Sequence, residues 1–318
     1  MNGDRRRGLR KLYPSRDGRL VRGGRKITQR LIRRPMRPIP LSKLIAPADV
    51  ITLMNFLCGI MAVMSSIDKG DGFRIAMLFI LLGVIFDGLD GPVARRFGSS
   101  HKFGVWLDSI ADAVTFCIAP AILVYNLYRD PSEGFFDSLL PFTVITASIS
   151  IALLGILRLA KFSIYAHRWK NFIGLPTPAM AIMVVCLSSS YLFSSEIGLE
   201  IEFITTGTVI VLPLIFFLAS LLMVADIRYK KVRGRLMLVV GFFTLCLIIC
   251  LAIGNKEPEI ALAGSIICSI LALSYTLSPL TQGPGQIWGA SKREEEFDEE
   301  DLYEEGDIGE EEGLEELL

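Results

Sequence analysis

The sequence predicts an all-α integral membrane protein with about eight transmembrane helices, and three observations carry that prediction. Hydrophobic residues make up 52% of the 318 in the chain, more than an average soluble domain holds. They are gathered into blocks about 20 residues long, the length a helix needs to cross a bilayer. The polar connections between blocks alternate between strongly basic and weakly charged or acidic, the pattern that orients a chain crossing a membrane repeatedly.

The apolar blocks run over residues 46–67, 73–96, 104–128, 140–161, 176–195, 202–226, 235–254 and 258–280. One set of connections holds Arg95, Arg96 and Lys102, then Arg168 and Lys170, then Arg228, Lys230, Lys231, Arg233 and Arg235. The other set dilutes its few cations with acids, in 68-DKGDG-72, 129-RDPSEG-134 and 195-SEIGLE-200. The basic set is expected on the cytoplasmic side, and with it both termini of a multi-pass protein of the cell (plasma) membrane. Residues 1–45 form a basic arm rich in Arg, Gly and Pro, without apolar periodicity, that reads as lying against anionic headgroups. It is too long and too polar for a secretory signal. Residues 282–318 form an acidic, solvated tail, so the formal net charge of zero hides a steep asymmetry between the ends. No specific nucleic-acid partner is expected, and a homodimer is. The six cysteines, Cys58, Cys117, Cys186, Cys246, Cys250 and Cys268, all sit in apolar blocks without a CxxC pair, which argues against a disulfide framework or a zinc site.

Chemistry is concentrated in 87-DGLDGPVARRFGSSHKFGVWLDSIAD-112. A carboxylate in a membrane-spanning segment costs several kcal/mol unless something compensates it. Here four of them stand at helical spacing. Residues three and four apart share a helix face, so Asp87, Asp90, Gly91 and Ala94 line one stripe of the second helix and Gly104, Asp108 and Asp112 one stripe of the third. The short polar connection 97-FGSSHKF-103 makes the two helices antiparallel neighbours near the cytoplasmic boundary. Clustered carboxylates repel one another, and hard divalent cations with oxygen ligands, Mg²⁺ or Mn²⁺, resolve that repulsion. Four carboxylates can hold two ions, an arrangement suited to in-line displacement at phosphorus. Gly91 and Ala94 leave room for a ligand near the backbone, and Arg95 can pair with a phosphate bidentately. Small-residue helix packing, a proton relay in an ion-coupled transporter, and a snorkelling Asp are the alternatives for individual residues.

The pattern D-x2-D-G-x2-A-R-x8-G-x3-D-x3-D is matched at every fixed position, by Asp87, Asp90, Gly91, Ala94, Arg95, Gly104, Asp108 and Asp112. In this the chain resembles the CDP-alcohol phosphatidyltransferases. The resemblance implies a membrane fold with six core helices, here residues 46–226, followed by two additional helices over 227–281. It implies that Asp87, Asp90 and Asp108 hold the divalent metal with help from Asp112, and that Asp112 acts as general base. The CDP-activated lipid would lie against Gly91, Ala94, Arg95 and Gly104.

Two further stretches, 51-ITLMNFLCGIMAV-63 and 157-LRLAKFSIYAHRWKNFIGLPTPAMA-181, resemble the phosphatidylserine synthase (or archaetidylserine synthase) branch. That implies L-serine as acceptor, CMP as leaving product and a place in phospholipid biosynthesis. Glycerol phosphate or inositol phosphate is the alternative acceptor. Arg158 and Lys161, at (i, i+3) near the end of the fourth helix, can bind serine's carboxylate or the donor's phosphates, or anchor that helix at the interface. Thr52 and Asn55 share a face of the first helix and can hydrogen-bond the nucleotide or simply pack between helices. Gly174, Pro176 and Pro178 shape the start of the fifth helix. His101 and His167 read as loop residues without a role.

Overall fold

The computed structural model describes residues 46–68, 70–97, 101–129, 139–165, 172–198, 202–229 and 235–281. The basic arm, the acidic tail and His167 lie outside them. Helix α1 spans Pro47–Ser65 and α2 spans Asp71–Phe97. The next rod is α3, His101–Asp112, continued through a π-helical segment, Ala113–Ile118, into α4, Ala119–Tyr128. Then follow α5 (Leu139–Tyr165), α6 (Thr177–Glu196), α7 (Glu202–Val224), α8 (Arg235–Ile253) and α9 (Pro258–Thr276). His101, expected in a loop, is the first residue of α3, so the connection from α2 is shorter than its polar composition suggests.

Six of the described helices are long and apolar enough to cross a membrane, while α7 and α8 contribute shorter apolar stretches, Val209–Val224 and Val240–Ile253. The chain is therefore a multi-pass membrane protein. Large apolar side chains such as Leu57, Ile149, Leu153, Ile267 and Ile270 remain exposed on the bundle, as expected for surfaces solvated by lipid rather than water.

Local chemistry sets the helix ends. Pro47 occupies the first turn of α1, where its missing N–H is no loss, and the Asp49 carboxylate accepts the Ala46 N–H at 2.7 Å. Pairwise packing then builds the bundle: α1 lies along α2, α5 along α7, and α6 along α9. One apolar cluster gathers Tyr128, Ile151, Met183 and Phe216 around α4 to α7. A second gathers Met77, Ile80, Phe116, Phe193 and Cys268 from α2, the π segment, α6 and α9. Short polar links cross these interfaces, with Tyr128 donating to Ser188 Oγ at 3.3 Å and the Ser190 and Ser269 hydroxyls 3.1 Å apart. At the end away from the aspartates, buried Arg74 forms an ion pair with Glu196 and lies 5.4 Å from the Phe193 ring centroid, tying the start of α2 to the end of α6.

The all-α expectation holds, with one short strand pair between helices. Two residues on each side of the α5–α6 and α7–α8 connections pair as antiparallel strands, β1 (Phe172–Ile173) with β2 (Arg228–Tyr229), matching Phe172 to Tyr229 and Ile173 to Arg228. The pairing arises because backbone groups between helices still need partners. Gly174 N–H donates to Ile227 O at 2.9 Å and Leu175 N–H to Leu222 O at 3.0 Å, clasping the start of α6 to the end of α7.

Gly174 has φ +78°, and a Cβ built there would stand 2.2 Å from the Met223 carbonyl oxygen. Both the left-handed backbone and the contact with a fixed main chain exclude a side chain. Gly174→Ala is therefore expected to destabilise the protein by about 2 kcal/mol or more. Thermal melting in detergent checks this, with Gly241→Ala as the control, since a Cβ at Gly241 meets nothing within 4 Å. Equal melting temperatures for the two variants would refute it.

Candidate active site

Helices α2 and α3 both pack on α1, and the site is built where their aspartate-bearing faces meet. Because each helix repeats every 3.6 residues, the spacing of Asp87 and Asp90 on α2 and of Asp108 and Asp112 on α3 puts each pair on one face. The fold turns those faces toward each other. One carboxylate oxygen from each of Asp87, Asp90 and Asp108 lies within 4.8 Å of the other two, and all three side chains are half-buried. The Asp112 carboxyl stands near that of Asp87 across the same two helices.

Such a trio fits a hard divalent cation. Its donors are all carboxylate oxygens, the ligand type Mg²⁺ and Mn²⁺ take, with no thiolate or imidazole among them. Oxygens bound to one Mg²⁺ at about 2.0–2.1 Å sit at most about 4.2 Å apart, so the three oxygens, all within 4.8 Å of one another, need at most a small inward turn of the carboxylates to share an ion. The protein offers the trio no lysine or arginine ion pair among the described salt bridges.

Asp112 is held differently from the other three. Asn55, wholly buried on α1, donates from Nδ2 to Asp112 Oδ1 at 3.3 Å. Asn55 is itself fixed, because the Thr115 hydroxyl on the π segment donates to the Asn55 carbonyl at 2.9 Å. This tripod requires α1, α2 and the π segment to approach closely. Glycines allow it: a Cβ on Gly83 would lie 2.4 Å from Thr115 Cγ2 and 2.9 Å from Asn55 Oδ1, and one on Gly59 2.5 Å from Thr115 Oγ1. The π segment, where the Ala119 N–H reaches back to Val114 O, begins one residue after Asp112. It carries Thr115 to a position an unbroken α-helical register would not give it.

The remaining residues singled out in the sequence divide. Gly91 and Arg95 come together, the Arg95 Nη1 lying 3.6 Å from the point a Gly91 Cβ would occupy. Ala94 and Gly104 are half-buried on the same two helices. Thr52 is buried, but its hydroxyl donates to Ala48 O at 3.3 Å on its own helix. Asn55 faces Asp112, where the sequence reading allowed a nucleotide contact. Arg158 and Lys161 do not converge. Arg158, only 6% exposed, turns inward and donates from Nη1 to Thr177 Oγ1 at 3.1 Å. Lys161 turns to the end of α7 and pairs with Asp226 at 2.6 Å. A three-residue step still separates two side chains by about 60° around the helix, and the neighbouring Asp226 decides the direction of Lys161. Arg158 instead lies within electrostatic range of Asp112 and, from α9, of the Tyr275 side chain.

Sequence reasoning missed Thr115, the two close-packed glycines and Tyr275. Gly59 and Gly83 were visible as small residues in apolar helices, a packing signal, but their partner across the bundle was not.

Comparison with known proteins matches the family model of the CDP-alcohol phosphatidyltransferases to residues 45–224. The chain is 35% identical over 212 residues to a CDP-diacylglycerol--serine O-phosphatidyltransferase of Methanocaldococcus jannaschii, covering 66% of this chain and 86% of that protein. It is 34% identical over 196 residues to an archaetidylserine synthase of Methanothermobacter thermautotrophicus, covering 61% of this chain and 73% of that one. A CDP-diacylglycerol--serine O-phosphatidyltransferase of Bacillus subtilis is 37% identical over 144 residues, covering 45% of this chain and 75% of the relative.

Proposed function

Because the chain belongs to the CDP-alcohol phosphatidyltransferase family, matched over more than half its length, we propose that it transfers the phosphatidyl-type group of a CDP-activated lipid to the hydroxyl of L-serine and releases CMP. Membership in the family replaces the ion-coupled transporter reading of the aspartates. The observation that carries the chemistry is the convergence of Asp87, Asp90 and Asp108 from two helices within 4.8 Å, beside an Asp112 held by Asn55. The relatives named for serine transfer and for archaetidylserine synthesis support the acceptor.

Asp87, Asp90 and Asp108, with help from Asp112, would hold divalent cations, Mg²⁺ or Mn²⁺, and four carboxylates suffice for two such ions. When bound, the metal supplies positive charge against the diphosphate. Arg95, folded back over Gly91, meets the donor's phosphates, with Ala94 and Gly104 leaving space along the same helices. Asp112 takes the proton from the serine hydroxyl as its oxygen bonds to the lipid-side phosphorus. The bond from that phosphorus to the bridging oxygen breaks, and the electron pair leaves with CMP. Asn55, donating to one Asp112 oxygen, fixes the carboxylate and leaves its second oxygen for the proton. The basic connections support a site that faces the cytoplasm, in a protein proposed for the plasma membrane.

The reading is tested by incubating purified protein with CDP-diacylglycerol or CDP-archaeol, Mg²⁺ or Mn²⁺, and a panel of alcohols, measuring CMP. Serine-dependent CMP release is expected, and the two donors identify the lipid tail. Release with glycerol phosphate or inositol phosphate but not with serine would overturn the acceptor assignment.

A further inference from the structure

We infer that Tyr275, near the end of α9, completes with Arg158 the pocket that holds the carboxylate of the acceptor. The inference rests on the serine-transfer reading above. Arg158 is enclosed between α5 and α6, and Thr177 satisfies Nη1 alone of the groups described there. Its Nε is buried without a hydrogen-bond partner. An arginine nitrogen can only donate, so an acceptor is called for. The Tyr275 hydroxyl is the second such atom, also buried and also without a partner. The Tyr275 phenol and the Arg158 guanidinium lie within electrostatic range of each other, and the Asp112 carboxylate lies within that range of Arg158. Two unsatisfied donors thus share one neighbourhood, and Arg158 links it to Asp112.

Leaving a buried donor unpaired is unfavourable, and an oxyanion relieves both at once. A carboxylate has two oxygens, one to accept from the guanidinium and one from the phenol. Serine carries that group on the carbon next to its hydroxymethyl group, so anchoring it beside Asp112 brings the hydroxyl to the base. The Tyr275 ring lies 5.8 Å from that of Tyr229, centroid to centroid, a contact that Tyr229→Phe would keep. The Tyr229 hydroxyl is engaged elsewhere, donating to the Thr276 carbonyl at 3.0 Å. Lys161, another cation near this helix end, is engaged by Asp226. Helix α9 lies beyond residues 45–224, so the acceptor contact comes from outside the portion matched to the family.

The donor's phosphates offer the same oxyanion chemistry, so the test reads the substrates separately. Steady-state CMP release is measured for full-length wild-type protein, Tyr275→Phe and Tyr229→Phe, varying L-serine and the CDP-lipid in turn. Ethanolamine, which is serine without its carboxylate, serves as a second acceptor. Tyr275→Phe keeps the ring and loses only the hydroxyl. It is expected to raise KM for serine about tenfold or more, the size of a lost hydrogen bond to a charged group. It should leave kcat and the KM for CDP-lipid within about twofold, as loss of uniform binding does, and narrow the preference for serine over ethanolamine by the same factor as the serine KM. Tyr229→Phe, which removes the tie to Thr276 but no pocket donor, should leave the serine KM unchanged. An unchanged serine KM in Tyr275→Phe, a rise confined to the CDP-lipid KM, or an equal rise in Tyr229→Phe overturns the inference and leaves serine transfer standing. Wild-type protein that releases no CMP with serine overturns both.

Discussion

Asp112→Asn is expected to lower kcat by about 10²–10⁴, the usual contribution of a general base, while metal and CDP-lipid affinity survive. The amide keeps the size of the side chain, and its oxygen can still accept the Asn55 Nδ2 hydrogen bond measured at 3.3 Å. What it loses is the basic oxygen that would receive serine's proton. Because that proton leaves only as the new bond forms, the loss should fall on kcat rather than on the serine KM. The check is a metal titration and a CDP-lipid titration of the variant beside its rate of CMP release. If Asp112→Asn loses metal as severely as Asp87→Asn, then Asp112 is a ligand first and the base lies elsewhere. Its proximity to Asp87 makes that outcome a real alternative for the experiment to decide.

Asp87→Asn, Asp90→Asn and Asp108→Asn should behave in the opposite way, each weakening metal binding and turnover together. An amide preserves shape and removes the charge that holds a hard cation. The three oxygens share a 4.8 Å neighbourhood, so each ligand counts toward the same site and the effects should not add independently. For the same reason the wild-type enzyme should fall silent in excess EDTA and recover on adding Mg²⁺ or Mn²⁺. Full turnover by protein shown to be metal-free by elemental analysis would end the metal assignment. Metal binding followed directly, apart from activity, separates a lost ligand from a misfolded variant.

These two experiments bear on residues whose placement was unequally legible in the sequence. The eight rods were legible because a bilayer imposes a simple demand, about 20 apolar residues with every backbone group bonded inside the helix. The pairing of the aspartates was legible too, since spacings of three and four put Asp87 with Asp90 and Asp108 with Asp112 on single faces. A short connection left α2 and α3 little choice but to lie antiparallel. Each of these inferences uses only near neighbours in the chain, where local geometry is fixed by the helix itself.

The tertiary structure decided what lies across the bundle. Asn55 meets Asp112 across 57 positions of sequence, Thr115 reaches Asn55 across 60, and Arg158 parts from Lys161 to reach Thr177. No pattern in α6 marks Thr177 as facing inward, because that helix is apolar around most of its circumference and so carries no stripe to orient it. The same holds for α9, whose Tyr275 packs against the ring of Tyr229 from β2, a partner 46 positions away in sequence. In a membrane, burying apolar surface does not by itself choose which face turns inward, since lipid is as apolar as the protein interior. The choice falls to close packing at glycines such as Gly83 and to a few polar links, and both depend on partners that only the folded chain brings together. The sequence by itself therefore determined the helices and the acidic face of α2 and α3; the packing of side chains between distant helices decided which groups hold Asp112 and which face the acceptor.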